Sequence, residues 1–227
     1  MENLPAYVGT IFILTTILTV VLFFNAAGRS KTVLYILLSW MTIQGMIGQT
    51  AFLKQTDEIP PRLALMVAPT LLLIIILFIT KKGRSFVDRL NLKTLTILHS
   101  VRVPVELVLL WLSIYRYVPQ IMTFKGMNLD ILSGISAPLI YYLVFMRSHI
   151  KKSILLFWNL ICLGLLFNII IIAVLSAPFP FQQFGLDLPN IAVLYFPFNW
   201  LPTVVVPIVL LSHLASIRQL LKARLIN

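Results

Sequence analysis

The sequence predicts an all-α, polytopic membrane protein built as one bundle of about seven transmembrane helices. Of its 227 residues, 59% are hydrophobic and only 11% are charged, whereas a water-soluble domain carries roughly a quarter charged residues. Because so few charged side chains cannot cover a soluble surface, we expect lipid to cover it. A second observation agrees, since seven stretches of the chain approach the about 20 apolar residues that a membrane helix needs.

The predicted spans follow one another with short connections, as at residues 28–31 and 59–62, and none of these is long enough for a separate domain. Residues 1–227 are therefore predicted to form a single transmembrane domain. Residues 1–7 lack the basic region of a cleaved signal peptide, so we expect the first span to be retained. The predicted spans are about 6–27, 32–53, 63–80, 94–116, 129–146, 153–175 and 190–214.

The positions of lysine and arginine predict the orientation, because cytoplasmic loops are enriched in both. Alternate connections hold 13 of the 18 basic residues, the opposite set holds four, and Arg102 lies inside a span. We therefore expect an integral plasma (inner) membrane protein with its N-terminus outside and its C-terminus in the cytoplasm. The net charge of +11 is explained by topology, and no nucleic-acid partner is expected. The thirteen are Arg29, Lys31, Lys81, Lys82, Arg84, Arg89, Lys93, Arg147, Lys151, Lys152, Arg218, Lys222 and Arg224.

Several chemistries are disfavoured by what the chain lacks. Its one cysteine, Cys162, cannot build an intramolecular disulfide or a cysteine cluster. The histidines His99, His149 and His213 never stand four residues apart, and no span holds a lysine for a Schiff base. No nucleophile elbow or P-loop occurs. We expect no cofactor, no metal and no catalytic residue of a familiar kind, so an enzyme is the less favoured class.

Three ionisable residues of the fourth span, His99, Arg102 and Glu106, fall on one helical face. Each costs at least about 2.5 kcal/mol at the centre of a bilayer, so we expect the face to meet protein or water. The spacing of Arg102 and Glu106 predicts an ion pair within the helix, and Pro104 between them predicts a bend. We predict a ligand or proton site there. The alternative is a neutral pair that only holds helices in register.

Polar residues of two other spans are predicted to join this site. Tyr195, Asn199 and His213 recur on one face of the seventh span, and Gln44 of the second span reaches a depth similar to that of Asn199. We predict that Tyr195, Asn199 and Gln44 belong to the site around Glu106. The alternative is that Asn199 and Gln44 are interhelical hydrogen-bonding residues, which are common in membranes.

At the predicted outer mouth, Asp130 and Ser133 open the fifth span. An aspartate at the start of a helix is typical of an N-cap, and this interpretation is favoured over a catalytic pair.

The function that these patterns favour is a small-solute transporter or permease, linked to protons through Glu106, with Arg102 tuning that carboxyl group or holding an anionic group. One alternative is a non-catalytic sensor or complex subunit, which would need a separate cytoplasmic partner. Another is an intramembrane enzyme for a lipid-like substrate, using His99 with Glu106 or Asp130 with Ser133. The expected partners are the lipid bilayer, a small solute or proton, and a second copy of the chain or another membrane protein.

Overall fold

The computed structural model describes residues 1, 3–147 and 152–226, and these residues form helices and turns without a strand. His149 and Lys151, named above, lie outside the described residues, as does the whole stretch 148–151. A 3-10 turn, His99–Val101, joins α5 to α6, and π-helical segments, Tyr142–Met146 and Leu201–Val205, follow α7 and precede α9. The α-helices are α1 (Ala6–Ala26), α2 (Lys31–Gln49), α3 (Arg62–Ile79), α4 (Lys81–Arg89), α5 (Leu92–Leu98), α6 (Arg102–Ile114), α7 (Ile131–Tyr141), α8 (Lys152–Ser176) and α9 (Val206–Ile226).

Five of the helical stretches are long and apolar enough to cross a membrane, so an all-helical chain with several such helices is confirmed. Two further predicted spans correspond to α2, which has 19 residues, and to the shorter apolar helix Ile131–Met146. The count of seven stays a prediction. The five stretches are Ala6–Ala26, Arg62–Ile79, Leu92–Ile114, Ser153–Ser176 and Leu201–Ala223.

The seventh span differs from its prediction of 190–214. Its helix begins only at Leu201, after turns and a short 3-10 segment, and continues to Ile226. Pro197 has no backbone N–H to donate, whereas Pro202 occupies the first turn of the new helix, where proline is tolerated. The second span also ends earlier than predicted, at Gln49. Tyr195 therefore does not share a helical face with His213.

The outward faces of the helices carry large apolar side chains. Ile76 is 53% exposed and Phe157 is 64% exposed, and leucine, isoleucine and valine residues behave similarly on α1, α2, α3, α7 and α8. Monomeric soluble proteins rarely expose such extensive apolar surface. This surface is the one expected of helices that contact acyl chains. The helix α3 is the most peripheral, since only Leu63 and Ile74 of its residues are fully buried.

Glycines allow close approach of helices inside the bundle. A Cβ atom added to Gly48 of α2 would lie 2.6 Å from Oδ1 of Asn199. A Cβ atom on Gly134 of α7 would lie 2.8 Å from the backbone nitrogen of Val103. Because no side chain separates them, α7 lies directly against the start of α6, which carries Arg102.

One end of the bundle, called here the basic end, joins α1, α4 and α9. Arg218 Nε of α9 donates to Asp88 Oδ1 of α4 at 2.8 Å, and Lys222 Nζ donates to Oδ2 of the same carboxylate at 2.9 Å. The backbone N–H of Asn91 donates to the carbonyl of Ala26 at 2.8 Å. Three of the basic connections therefore meet at this end.

The ion pairs of Asp88 with Arg218 and Lys222 at the basic end predict that the stability of the protein depends on pH. The hydrogen bond from Arg218, followed by that from Lys222, holds the pKa of Asp88 below its ordinary value, against the opposing effect of burial. A lowered pKa in the folded state gives stability that is present above the unfolded value of about 3.9 and lost as the pH falls through the folded value. We expect Asp88→Asn to lower the Tm by a constant amount from about pH 5 to pH 8, and by less below about pH 4.

The measurement is thermal unfolding of the purified protein in nonionic detergent across this pH range. Glu58→Gln is the control, because Glu58 pairs with Arg62, four residues along the chain, on the surface, where ion pairs contribute little. If the Tm difference between Asp88→Asn and the unmodified protein grows as the pH falls, the ion pairs of Asp88 do not stabilise the fold in the way described.

Candidate functional site

A buried ion pair between Arg102 and Asp130 lies at the centre of the polar interior. Nη1 of Arg102 donates to Oδ1 of Asp130 at 2.8 Å, and the two side chains are 4% and 7% exposed. The same Nη1 donates to the carbonyl of Cys162 on α8 at 3.3 Å. The predicted ion pair of Arg102 with Glu106 is therefore wrong. The segment before α7 enters the bundle and brings Asp130 to the guanidinium, which sequence spacing does not reveal.

A chain of hydrogen bonds continues from Arg102 to His213 of α9 and Asn159 of α8. Nη2 of Arg102 lies 3.0 Å from Nε2 of His213. Because a guanidinium only donates, Nε2 accepts, and the ring proton is assigned to Nδ1. Nδ1 then donates to Oδ1 of Asn159 at 2.9 Å, and the Asn159 amide donates to the carbonyl of Leu155 at 2.9 Å. These partners hold His213 neutral and in one tautomer.

The fully buried His99 stacks on His213, with ring centroids 3.8 Å apart and an angle of 15° between the planes. The Trp158 ring packs beside both histidines, with its centroid 5.5 Å from that of His99 and 6.1 Å from that of His213. Neither ring nitrogen of His99 has a hydrogen-bond partner among the described residues. His99 therefore makes no hydrogen bond to Glu106, with which one form of the enzyme hypothesis combined it.

The carboxylate of Glu106 is only half satisfied. Its Oε1 accepts from Nδ2 of Asn128 at 2.5 Å, and Oδ1 of Asn128 accepts from the backbone N–H of Asp130 at 3.0 Å. Glu106 is 2% exposed, and its Oε2 has no hydrogen-bond partner in the described part of the chain. Asn128 thus links the two carboxylates, while one oxygen of Glu106 is left without a partner.

The predicted outer-mouth residues lie inside the protein. Asp130 occupies the N-cap position of α7, but its side chain makes no capping hydrogen bond and binds Arg102 instead. The favoured capping interpretation is therefore wrong. Ser133 is fully buried in the first turn of the same helix.

Asn199 and Gln44 form a separate contact. Nδ2 of Asn199 donates to the backbone carbonyl of Gln44 at 2.7 Å, next to Gly48. Across residues 3–147 and 152–226, no hydrogen bond joins either side chain to Arg102 or Glu106. The Asn199 side chain thus makes the hydrogen bond to another span that the alternative describes, whereas the side-chain amide of Gln44 has no partner among the described residues.

Tyr195, which was also predicted to join the site, lies beside Lys54. The ammonium nitrogen of Lys54 is 4.6 Å from the centroid of the Tyr195 ring. This contact lies in the connecting segments after α2 and before α9.

A cavity of about 510 Å³ reaches the two carboxylates. It lies between the peripheral α3 on one side and α6, α8 and the start of α9 on the other. Its volume falls within the roughly 300–1,000 Å³ of small-molecule sites. Glu106 and Asp130 form its polar part, and its apolar walls include Ala68, Leu71, Val105, Leu109, Ile170 and Ala173.

A smaller cavity of about 260 Å³ lies on the other side of α3 and is lined by apolar residues and two threonines. Trp40 of α2, Ile74 of α3 and Phe86 of α4 contribute to its walls. The helix α3 therefore stands between two cavities.

Sequence patterns missed Asn128 and Asn159, and left His213 out of the predicted site. Asn159 lies inside an apolar span, where the cost of an amide group is a usable signal. His213 was recognised only as part of a polar face, and its stacking on His99 depends on how α5 and α9 cross. Asn128 belongs to a polar connection and carries no such signal, because polar residues are ordinary in loops.

The fold and the site define an all-helical protein, with several helices long and apolar enough to span a membrane, in which a buried charged network adjoins an apolar cavity. This network consists of Arg102, Asp130, Glu106, Asn128, His213, His99 and Asn159. The chain belongs to the family described as Domain of unknown function (DUF8737), whose model matches residues 59–221. This region contains α3 to α8, most of α9 and every residue of the charged network, whereas Gln44 precedes it. No curated protein and no solved structure matches the chain.

The buried ion pair predicts a large and non-additive effect of mutation. Asp130→Asn leaves the guanidinium of Arg102 buried without a counter-charge, and we expect a loss of about 3–5 kcal/mol in the free energy of unfolding. Arg102→Met combined with Asp130→Asn is expected to cost less than the sum of the two single changes. The measurement is unfolding by SDS titration in mixed micelles. Additive losses, or a loss for Asp130→Asn no larger than that for the surface variant Glu58→Gln, would show that the pair is not coupled.

Proposed function

We propose that this chain is a seven-span plasma (inner) membrane protein, N-terminus outside and C-terminus cytoplasmic, that transports a small solute in exchange for a proton carried by Glu106. The observation that carries the proposal is the cavity of about 510 Å³ that Glu106 lines, together with the Oε2 atom of Glu106, which is buried and has no hydrogen-bond partner among the described residues. A cavity of this size with an ionisable group at one end is the usual form of a solute site between helices.

The charge balance of the site supports the exchange of a proton. Arg102 is paired with Asp130, and Glu106 receives no hydrogen bond from the described residues except that of the Asn128 amide. An ionised carboxylate without a cation is expensive to hold in a low-dielectric interior. The cost is removed when Glu106 carries a proton or when a ligand supplies compensating polar groups. Proton binding and solute binding are therefore linked at one carboxyl group.

The loose packing of α3 supports transport over static binding. This helix separates two cavities, contains Pro69 and follows Pro61. Proline inside a helix removes a backbone hydrogen bond and favours bending. Movement of α3 against α6 and α8 would open or close the larger cavity without disturbing the ion pair of Arg102 and Asp130.

The transport proposal predicts that flux depends on Glu106. Proteoliposomes with an acidic interior and an entrapped pH-sensitive dye are given three pools of radiolabelled small solutes, one anionic, one neutral and one cationic. We expect at least one pool to be taken up with alkalinisation of the interior. Uptake should fall by about 100-fold or more in Glu106→Gln, since general acid–base groups contribute roughly this factor in rate.

Glu58→Gln is the matched control, because it neutralises an exposed glutamate outside the cavity. It should transport like the unmodified protein. Uptake that is equal in Glu106→Gln and in the control, or no uptake above empty liposomes in any pool, would refute the proposal.

A ligand sensor is the second candidate, and one observation favours it. The helix α9 carries His213 within the charged network and Arg218 at the basic end. A ligand that displaces α9 would change the contact between Arg218 and Asp88. Crosslinking in membranes that captures a stable complex with a second protein, together with the absence of flux in all solute pools, would favour the sensor over the transporter.

The seven-span proposal predicts the accessibility of engineered cysteines. In a Cys162→Ala background, single cysteines replace Arg29 and Asp57, which flank α2, and Lys125 and Arg147, which flank α7. A membrane-impermeant maleimide should label the variants at Asp57 and Lys125 in intact cells. The variants at Arg29 and Arg147 should react only after permeabilisation. Labelling of both members of a pair from the same side would show that the helix between them does not cross the membrane.

A further inference from the structure

We infer that the solute of the larger cavity is a lipophilic organic cation: a single ammonium group that binds Glu106, with an apolar body between α3 and the helices α6 and α8. This inference rests on the proposed transport function and adds the chemical class of the solute. It depends on three features of the site: its net charge, the direction in which the Arg102 guanidinium points, and the chemistry of the cavity walls.

The charge of the site favours a cation. Asp130 is balanced by Arg102, and both histidines of the network lie in buried surroundings next to that guanidinium. When Glu106 is ionised, the site therefore carries one negative charge without a counter-ion. A bound monocation restores neutrality, whereas an anion adds a second uncompensated charge, which a low-dielectric interior disfavours.

The direction of Arg102 excludes it as an anion-binding group in this arrangement. Its guanidinium faces Asp130, the carbonyl of Cys162 and His213. Of the charged side chains described, Glu106 and Asp130 line the cavity and Arg102 does not. A ligand in the cavity thus meets two carboxylates and no cation. The sequence-based alternative in which Arg102 holds an anionic group finds no support in this geometry.

The position of the unpartnered oxygen indicates where the ammonium group binds. Oε1 of Glu106 is occupied by Asn128, but Oε2 is buried and has no partner within the described ranges. An ammonium group has three N–H donors and no acceptor, so it can satisfy Oε2 and also approach Asp130. Charge-assisted hydrogen bonds of this kind are about twice as strong as neutral ones.

The walls of the cavity indicate that the part of the ligand beyond the ammonium group is apolar. Apart from the two carboxylates the lining is aliphatic and aromatic, with Phe179 and Phe181 from the segment after α8 among the residues. A sugar or a polyamine would leave buried hydroxyl or amine groups without hydrogen bonds, at the cost of their desolvation. One charged end on an apolar body matches the lining. The cavity is large enough for a body of several carbon rings or a branched chain.

The exchange balances for one cation and one proton. Before binding, Glu106 is a neutral carboxylic acid. As the ammonium ion enters, the acidic proton leaves to water, and the carboxylate and the ammonium form an ion pair, so the site stays neutral throughout. The charged groups that act on Glu106 are Asp130 at the start of α7 and Arg102 of its own helix. The other titratable groups of the network are His213, which contacts Arg102, and His99, which stacks on His213.

The test uses three probes with the same apolar body and different ends: 4-phenylbutylamine, 4-phenylbutan-1-ol and 4-phenylbutanoate. Binding to the full-length protein in nonionic detergent is measured by equilibrium dialysis of the radiolabelled probes, with detergent alone as the background. We expect the amine to bind about tenfold or more tightly than the alcohol, because of the charge-assisted hydrogen bond. Binding of the carboxylate should not exceed background.

Two variants separate the contributions of charge and shape. Glu106→Gln should bind the amine no more tightly than the alcohol. Ala68→Trp should abolish binding of both by filling the cavity, whereas Leu72→Trp, on the same helix but 57% exposed and outside the lining, should bind both like the unmodified protein. Thermal unfolding of each variant verifies folding, and Ala68→Trp keeps the test decisive if Glu106→Gln fails to fold.

Proton release provides an independent readout. Addition of the amine to the protein in weakly buffered solution should release about one proton per bound probe, and Glu106→Gln should release none. Equal affinity for amine and alcohol, tighter binding of the carboxylate, or binding that survives in Ala68→Trp would overturn the inference. Glu106-dependent uptake of a neutral or anionic pool in proteoliposomes would overturn the cation but leave the transport function standing, whereas the absence of uptake in every pool removes both.

Discussion

The ion pair between Arg102 and Asp130 is the interaction on which the polar interior depends. A guanidinium cannot lose its charge in the bundle, so that charge must be matched by protein groups. Its Nη1 and Nη2 atoms find partners in three other parts of the chain: the Asp130 carboxylate, the Cys162 carbonyl of α8 and the His213 ring of α9. Its Nε atom has no partner among the described residues. One buried cation thus dictates how α6, α7, α8 and α9 meet.

The position of Asp130 has a second consequence for the site. The segment that precedes α7 must enter the bundle to deliver this carboxylate, and it brings Asn128 with it. Asn128 binds one oxygen of Glu106, and the other oxygen has no partner in the described part of the chain. Glu106 also lines the cavity. Because Arg102 is occupied elsewhere, the charge of Glu106 remains to be balanced by a proton or a ligand. Asp130 and Glu106 therefore belong to one network but differ in role: Asp130 stabilises the fold by pairing with Arg102, and Glu106 is the carboxylate of the candidate function.

One part of the bundle is tightly packed, and another part is loosely packed. Close contacts at Gly134 and hydrogen bonds among α6 to α9 fix the charged network. The helix α3 has few buried residues and stands between two cavities. Protein interiors normally pack without voids of this size, so the free volume beside α3 is concentrated where a ligand can use it. The family match covers α3 together with the whole network.

The sequence by itself determined the all-helical fold with helices of membrane-spanning length, the approximate limits of most helices, and the buried polar face of His99, Arg102 and Glu106. It could do so because apolar length and the cost of charge in hydrocarbon act locally along the chain. It did not determine that Arg102 would pair with Asp130, that Asn128 would enter the interior, or that Asn199 would pack on Gly48 away from the site. Those contacts join residues far apart in the chain. Only the tertiary structure decided them, because a buried charge is matched by whichever group the packing of helices brings within hydrogen-bonding distance.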